Sequence, residues 1–156
     1  MKSMSSESIV ISSPIGNLKI TADNEFLTKV EFVTDPKSNS ENPLLKKASS
    51  QIEEYFKGER KVFELPLKVK GTPFQESVWG ALREIPYGKT CSYKDIAERI
   101  GRPTAVRAIG QANKANSLPI IIPCHRVVGK DQSLTGYAGK QVDKKETLLR
   151  VEMAIE

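Results

Sequence analysis

The apolar pattern of this chain changes period part-way along, and that change limits the folds open to it. The first third alternates. Ile9, Val10 and Ile11 are β-branched, Pro14-Ile15-Gly16-Asn17 is a turn signal, and Leu18, Ile20 and Ala22 then alternate with polar residues. Asp23-Asn24 marks a second turn before a run through Val30, Phe32 and Val33. Together these predict a small antiparallel meander. Over 43–57 the spacing becomes helical, with Leu44, Leu45, Ala48, Ile52, Tyr55 and Phe56 on one face and Gly58 as the stop. A short strand from Val62 to Leu65 is expected before Pro66. Residues 66–72 are then the boundary to a second, mainly helical domain.

The second half opens on a capping box: Thr72 as N-cap, Pro73 at N1, Gln75 at N3. Phe74, Val78, Leu82 and Ile85 line one face of the helix, with Trp79 beside them, and Pro86 and Gly88 end it. Ser92-Tyr93-Lys94-Asp95 is a second capping box, opening a helix through Ile96, Ala97 and Ile100. Gly101-Arg102-Pro103 breaks the chain, and a third helix is expected from about Thr104 to Lys114. Two short helices about a tight glycine-containing turn make a helix-turn-helix pattern. The third helix is rich in small residues, Ala105, Ala108, Gly110 and Ala112, which allow close approach to a nucleic acid groove or to a neighbouring helix. Pattern alone weighs the two about equally. Arg102, Arg107 and Lys114 tip the balance toward nucleic acid, because bases on such a helix can meet phosphates.

Charge follows the same division. Residues 1–67 carry 9 Lys+Arg against 10 Asp+Glu, a net of −1; residues 68–156 carry 15 against 9, a net of +6. A modest basic excess is by itself only a solvated surface, but it marks the half in which to look for a polyanion. No apolar run approaches the roughly 20 residues of a membrane helix, and the start lacks the apolar stretch of a secretory signal, so a cytoplasmic (or nuclear) protein is expected. The two cysteines, Cys91 and Cys124, are then expected as thiols. With a single histidine, His125, they cannot complete a Cys/His zinc site, and no metal is predicted.

Residues 120–128 read Ile-Ile-Ile-Pro-Cys-His-Arg-Val-Val, apolar runs around a polar core. A thiol is a useful nucleophile only as thiolate, and neighbouring cations or hydrogen-bond donors favour that form. An isolated buried cysteine is usually a small hydrophobe, the reading adopted for Cys91. Beside His125 and Arg126 that reading is weaker for Cys124.

This segment resembles the active-site signature of the O6-alkylguanine-DNA alkyltransferases, the methylated-DNA–protein-cysteine methyltransferases. The resemblance extends upstream through Pro86-Tyr87-Gly88-Lys89-Thr90, Ser92-Tyr93, Arg107-Ala108-Ile109-Gly110 and Asn116, and downstream through Gly136-Tyr137-Ala138-Gly139 and Leu148-Leu149. It covers about residues 72–152 well. It implies an α/β protein in two parts: a small ribonuclease H-like domain over 1–67 with a short antiparallel sheet, and a winged helix-turn-helix-like DNA-binding and transfer domain over 68–156. It implies that Cys124 accepts the alkyl group and that His125 acts as base through a bridging water, oriented by the carboxylate that Glu152 matches. Asn116 matches a hinge asparagine that braces the turn before the active site. Arg107 matches the arginine that fills the gap left by a flipped base, and Tyr93 the tyrosine that contacts the target's 3′ phosphate and can donate a proton to guanine. The carbonyls of Cys124 and Val127, with Tyr93 and the loop Tyr137, Ala138 and Gly139, frame the base. Arg102, Ala105, Lys114 and Arg126 join Arg107 and Tyr93 as expected DNA contacts. The expected partner is double-stranded DNA carrying O6-alkylguanine, repaired once per molecule. No cofactor, membrane or obligate protein partner is expected, and the protein is expected to be a monomer.

Three rival functions fit parts of the sequence. A helix-turn-helix regulator explains the helices and charge but not the Cys-His-Arg block. Inactive relatives that bind alkylated DNA replace the acceptor cysteine, which this chain keeps. A cysteine hydrolase needs its Cys and His to pair directly, and residues adjacent in the chain project apart.

Overall fold

The computed structural model describes residues 6–129 and 142–152, and the chain divides into two compact units, 1–69 and 70–156. In the first, three strands form an antiparallel meander in the order β1-β2-β3: β1 (Glu7–Ile11), β2 (Asn17–Ala22) and β3 (Leu27–Val33). Register follows the alternation. Ile9 faces Ile20 and Ile20 faces Val30 across the ladder, which puts Ile9, Leu18, Ile20, Ala22, Leu27 and Val30 in the core.

Helix α1 (Pro43–Phe56) packs on this sheet through Leu45, Ala48, Ile52 and Tyr55. Its N-cap is Asn42, whose side chain accepts from the Leu44 and Leu45 amides, and Gly58, at φ 78°, follows its end. The strand expected at Val62–Leu65 does not form. The buried amide of Gln51 takes both backbone groups of Glu64 instead, accepting from its N–H at 2.9 Å and donating to its C=O at 3.3 Å. With those groups taken by a side chain, Val62 stays 67% exposed. The chain reaches the sheet only afterwards, at a parallel bridge between Leu27 and Leu67.

The second unit is helical: α2 (Pro73–Arg83), α3 (Tyr93–Arg99), α4 (Val106–Lys114) and α5 (Val142–Val151). Both capping boxes form, Thr72 with Gln75 at α2 and Ser92 with Asp95 at α3. Helix α4 begins two residues later than the sequence suggested and has no side-chain cap at Ala105. Between α3 and α4, Gly101 takes φ 76°, where a side chain is strained, and this lets the chain turn sharply. Helices α2, α3 and α4 pack on one another. Trp79 of α2 is buried and donates its indole N–H to the Ala112 carbonyl of α4 at 2.9 Å. Gly71 keeps space for that indole, since a Cβ there would lie 2.7 Å from the ring. Two short parallel strands, β4 (Cys91–Ser92) and β5 (Val127–Val128), tie the start of α3 to the segment that carries Cys124. Among the described residues, no helix is long and apolar enough to cross a membrane.

Candidate active site

Residues 116–128 form a buried, strained turn. Ile120 has φ 77°, a conformation that costs a β-branched residue about 1–2 kcal/mol. Asn116 holds the turn in place: its amide donates to the Ile122 carbonyl and accepts from the Leu118 N–H, both at 2.9 Å. A single 3-10 turn, Cys124–Arg126, follows, and all three of its side chains are buried. Cys124 is 2% exposed.

Burial pushes the Cys124 thiol up to about 11, against a hydrogen bond from the Asn116 side chain and the nearby Lys145 ammonium. The resting group is therefore a thiol. The two residues that follow the thiol in sequence, His125 and Arg126, both meet the carboxylate of Glu152. His125 Nε2 lies 2.7 Å from Glu152 Oε2. Arg126 grips the same carboxylate from two nitrogens, Nε to Oε1 at 2.9 Å and Nη2 to Oε2 at 3.0 Å. Its third nitrogen donates to the Ile85 carbonyl at 2.7 Å, and the guanidinium lies 5.8 Å from the Tyr87 ring centre. Arg126 was expected on the DNA; instead it is 7% exposed and committed to an internal ion pair. A buried carboxylate needs such a partner, and a buried guanidinium cannot reach a phosphate.

Glu152 accepts a fourth hydrogen bond from the Gly88 N–H at 3.1 Å. Burial alone would raise its carboxyl, but His125 and Arg126 hold it down at about 2. Burial lowers the His125 imidazole, with Glu152 pulling the other way. In the neutral tautomer that donates Nε2–H to Glu152, the lone pair sits on Nδ1, which can take a proton.

Sequence reasoning passed over two buried groups. Asn113 of α4 donates to the Cys124 carbonyl at 3.3 Å. Lys145 of α5 is fully buried and donates to the Val127 carbonyl. Spacing carried a signal for the second: Lys145, Leu148, Leu149 and Glu152 fall at i, i+3, i+4 and i+7, and all four are buried.

Two family models match the chain, described as the ribonuclease-like domain of 6-O-methylguanine DNA methyltransferase over residues 8–69 and its DNA-binding domain over 73–154. The chain belongs to the 6-O-methylguanine DNA methyltransferase family. A constitutive methylated-DNA–protein-cysteine methyltransferase of Bacillus subtilis is 49% identical over 150 residues, covering 90% of this chain and 91% of that one. A methylated-DNA–protein-cysteine methyltransferase of Methanosarcina acetivorans is 47% identical, covering 92% and 96%. The solved Mycobacterium tuberculosis O6-methylguanine methyltransferase superposes with a TM-score of 0.86 at 38% identity over 96% of this chain and 94% of that one. A structure of the M. tuberculosis OGT in complex with DNA gives 0.83 at 42%, covering 93% and 91%.

In this family member the remaining candidates fall into two groups. Arg102, Arg107 and Lys114 are exposed on the helix-turn-helix, with Ala105 half-buried at the start of α4. Tyr93 is half-buried at the start of α3, its ring close to Gly110 of α4. Val127 is fully buried next to the acceptor turn. Tyr137, Ala138 and Gly139 lie outside the described residues.

Proposed function

We propose that this chain repairs DNA by moving the alkyl group of O6-alkylguanine onto Cys124, once per molecule. The observation that carries the reading is a buried thiol on a braced turn, one residue from an imidazole held by a buried carboxylate, in a domain whose helix-turn-helix exposes basic residues. The partner is double-stranded DNA, bound by a monomer. The target oxygen is stacked inside the duplex, so the nucleotide is flipped out, at a cost of a few kcal/mol. Arg107 fills the vacancy, and Tyr93 contacts the flanking phosphate. His125 takes the thiol proton through a water, Glu152 stabilising the imidazolium that forms. The thiolate attacks the alkyl carbon in line. The S–C bond forms, the C–O bond breaks, and its electron pair stays on guanine. Tyr93 supplies the proton that lets guanine leave neutral, and the imidazolium of His125 and the phenolate of Tyr93 return to neutral by proton exchange through solvent, so that in sum the proton lost by sulfur is gained by the base. The cytoplasm keeps such a thiol reduced.

The product is a thioether, with no acyl carbon for water to attack. Labelled alkyl should therefore plateau at about one equivalent per active protein, with a burst and no steady state. Intact-mass measurement after reaction with duplex O6-methylguanine DNA reads this directly. Repair continuing well past one equivalent overturns the single-turnover mechanism.

Arg107→Ala separates flipping from chemistry. It should slow repair of duplex DNA far more than attack on free O6-methylguanine base, since only the duplex needs the gap filled. Equal slowing on both, in a variant with an unchanged melting curve, contradicts the finger role.

A further inference from the structure

We propose that Asn113 is a specificity-determining residue that reads the flipped base: its Oδ1 accepts a hydrogen bond from the exocyclic amine of O6-alkylguanine, so the site selects guanine adducts over alkylated thymine. The proposal rests on the transfer reading above, since it needs a base beside Cys124. The geometry behind it does not. Asn113 lies on α4, the helix that carries Arg107, and is 1% exposed. Its Nδ2 donates to the carbonyl of Cys124 at 3.3 Å. That contact fixes which end of the amide is which. A carbonyl can only accept, so the nitrogen faces Cys124 and the oxygen is turned elsewhere. Among the described residues nothing donates to that oxygen.

Buried carbonyls are nearly always paired, because one taken out of water without a donor is costly. Two side-chain donors of the same elements are already spent, the Trp79 indole N–H on the Ala112 carbonyl and the Asn116 amide on the Ile122 carbonyl. An open acceptor is thus left one amide's width from the contact with the backbone of Cys124, the residue whose sulfur reacts. What arrives beside that sulfur during repair is a base. O6-alkylguanine has lost its ring N1–H but keeps an exocyclic amine with two N–H groups. O4-alkylthymine has lost its ring N3–H and has no such amine, so it brings no donor and leaves Oδ1 without a partner. A site with a buried acceptor rejects the analogue that lacks the donor.

The test uses three duplexes, carrying O6-methylguanine, O6-methylhypoxanthine (the same base without its amine) and O4-methylthymine. Rates of methyl transfer to Cys124 are measured for the wild type and for Asn113→Leu, with a melting curve of each. The wild type should prefer O6-methylguanine to either other base by about 10-fold or more, and leucine should shrink both preferences by about 10-fold. Ratios taken within one protein cancel any general slowing from the lost contact with the Cys124 carbonyl. A wild type indifferent to the amine overturns the proposal. So does an Asn113→Leu protein that keeps the wild-type ratio of methylguanine to methylhypoxanthine, the result expected if Oδ1 only holds a trapped water. Should the leucine variant not fold, Cys124→Ser protein carries the test through the 13Cγ resonance of Asn113. That resonance should move when the methylguanine duplex binds and stay in place with the methylhypoxanthine duplex; equal shifts overturn the proposal. Failure of the transfer reading looks different, as no methyl label passing to Cys124 of the wild type from any of the three duplexes.

Discussion

Cys124→Ser will abolish alkyl transfer and leave affinity for DNA nearly unchanged. Serine keeps the shape of the side chain and can accept the Asn116 hydrogen bond now made to sulfur. It cannot ionise in a site that already pushes a thiol up to about 11, because the alkoxide is far less accessible than the thiolate. The exposed bases of the helix-turn-helix, Arg102, Arg107 and Lys114, are untouched, so phosphate contacts persist. Transfer of label from methylated duplex and a binding titration on the same DNA check both halves. Label still appearing on Cys124→Ser, or lost in Cys91→Ala, moves the acceptor elsewhere.

The second large effect is expected at Glu152. Its carboxylate is the common anchor of His125, Arg126 and the Gly88 amide. Glu152→Gln keeps the shape and removes the charge, leaving the Arg126 guanidinium buried without its counter-ion. Breaking a buried pair from one side costs about 3–5 kcal/mol. Repair should fall by about 100-fold or more, since the imidazole loses both its orientation and the charge that stabilises its protonated form. The pH dependence has a definite sign. A carboxyl held at about 2 instead of 4.5 contributes roughly 3 kcal/mol of stability at neutral pH. That contribution is complete above about 4.5, where the unfolded carboxyl is also ionised, and is lost as pH falls toward about 2. Denaturant melts of both proteins between pH 7 and 2 should show a loss specific to the wild type in that window. Parallel curves would mean that Glu152 is not the stabilising anion.

What the sequence disclosed was what short-range chemistry decides. The boxes Thr72–Gln75 and Ser92–Asp95 are closed by residues three apart, so their partners are visible in the string. The meander likewise follows alternation at Ile9, Leu18, Ile20 and Val30. The expected strand at 62–65 failed because Gln51, more than ten residues away, satisfies Glu64; β-branched composition carries no information about such a rival. Arg126 was misplaced for a related reason. Adjacency in Cys-His-Arg says nothing about which way each side chain leaves a 3-10 turn, and only the position of Glu152 decides it. Lys145 was missed although its spacing to Leu148, Leu149 and Glu152 is plain, because a lysine on an apolar face reads by default as a side chain reaching out to water.

The buried indole of Trp79 has an optical consequence. It is the one tryptophan in the chain, and its N–H is bound to the Ala112 carbonyl of α4. Ala112 is the neighbour in sequence of Asn113, whose amide holds the Cys124 carbonyl. Intrinsic emission is therefore a single-site signal from the joint between the helix that carries Arg107 and the turn that carries the acceptor. Its wavelength and quenching by small solutes report whether that joint stays dry before DNA is added, while the duplex is bound, and after the thiol has been spent, with no dye attached and no residue changed.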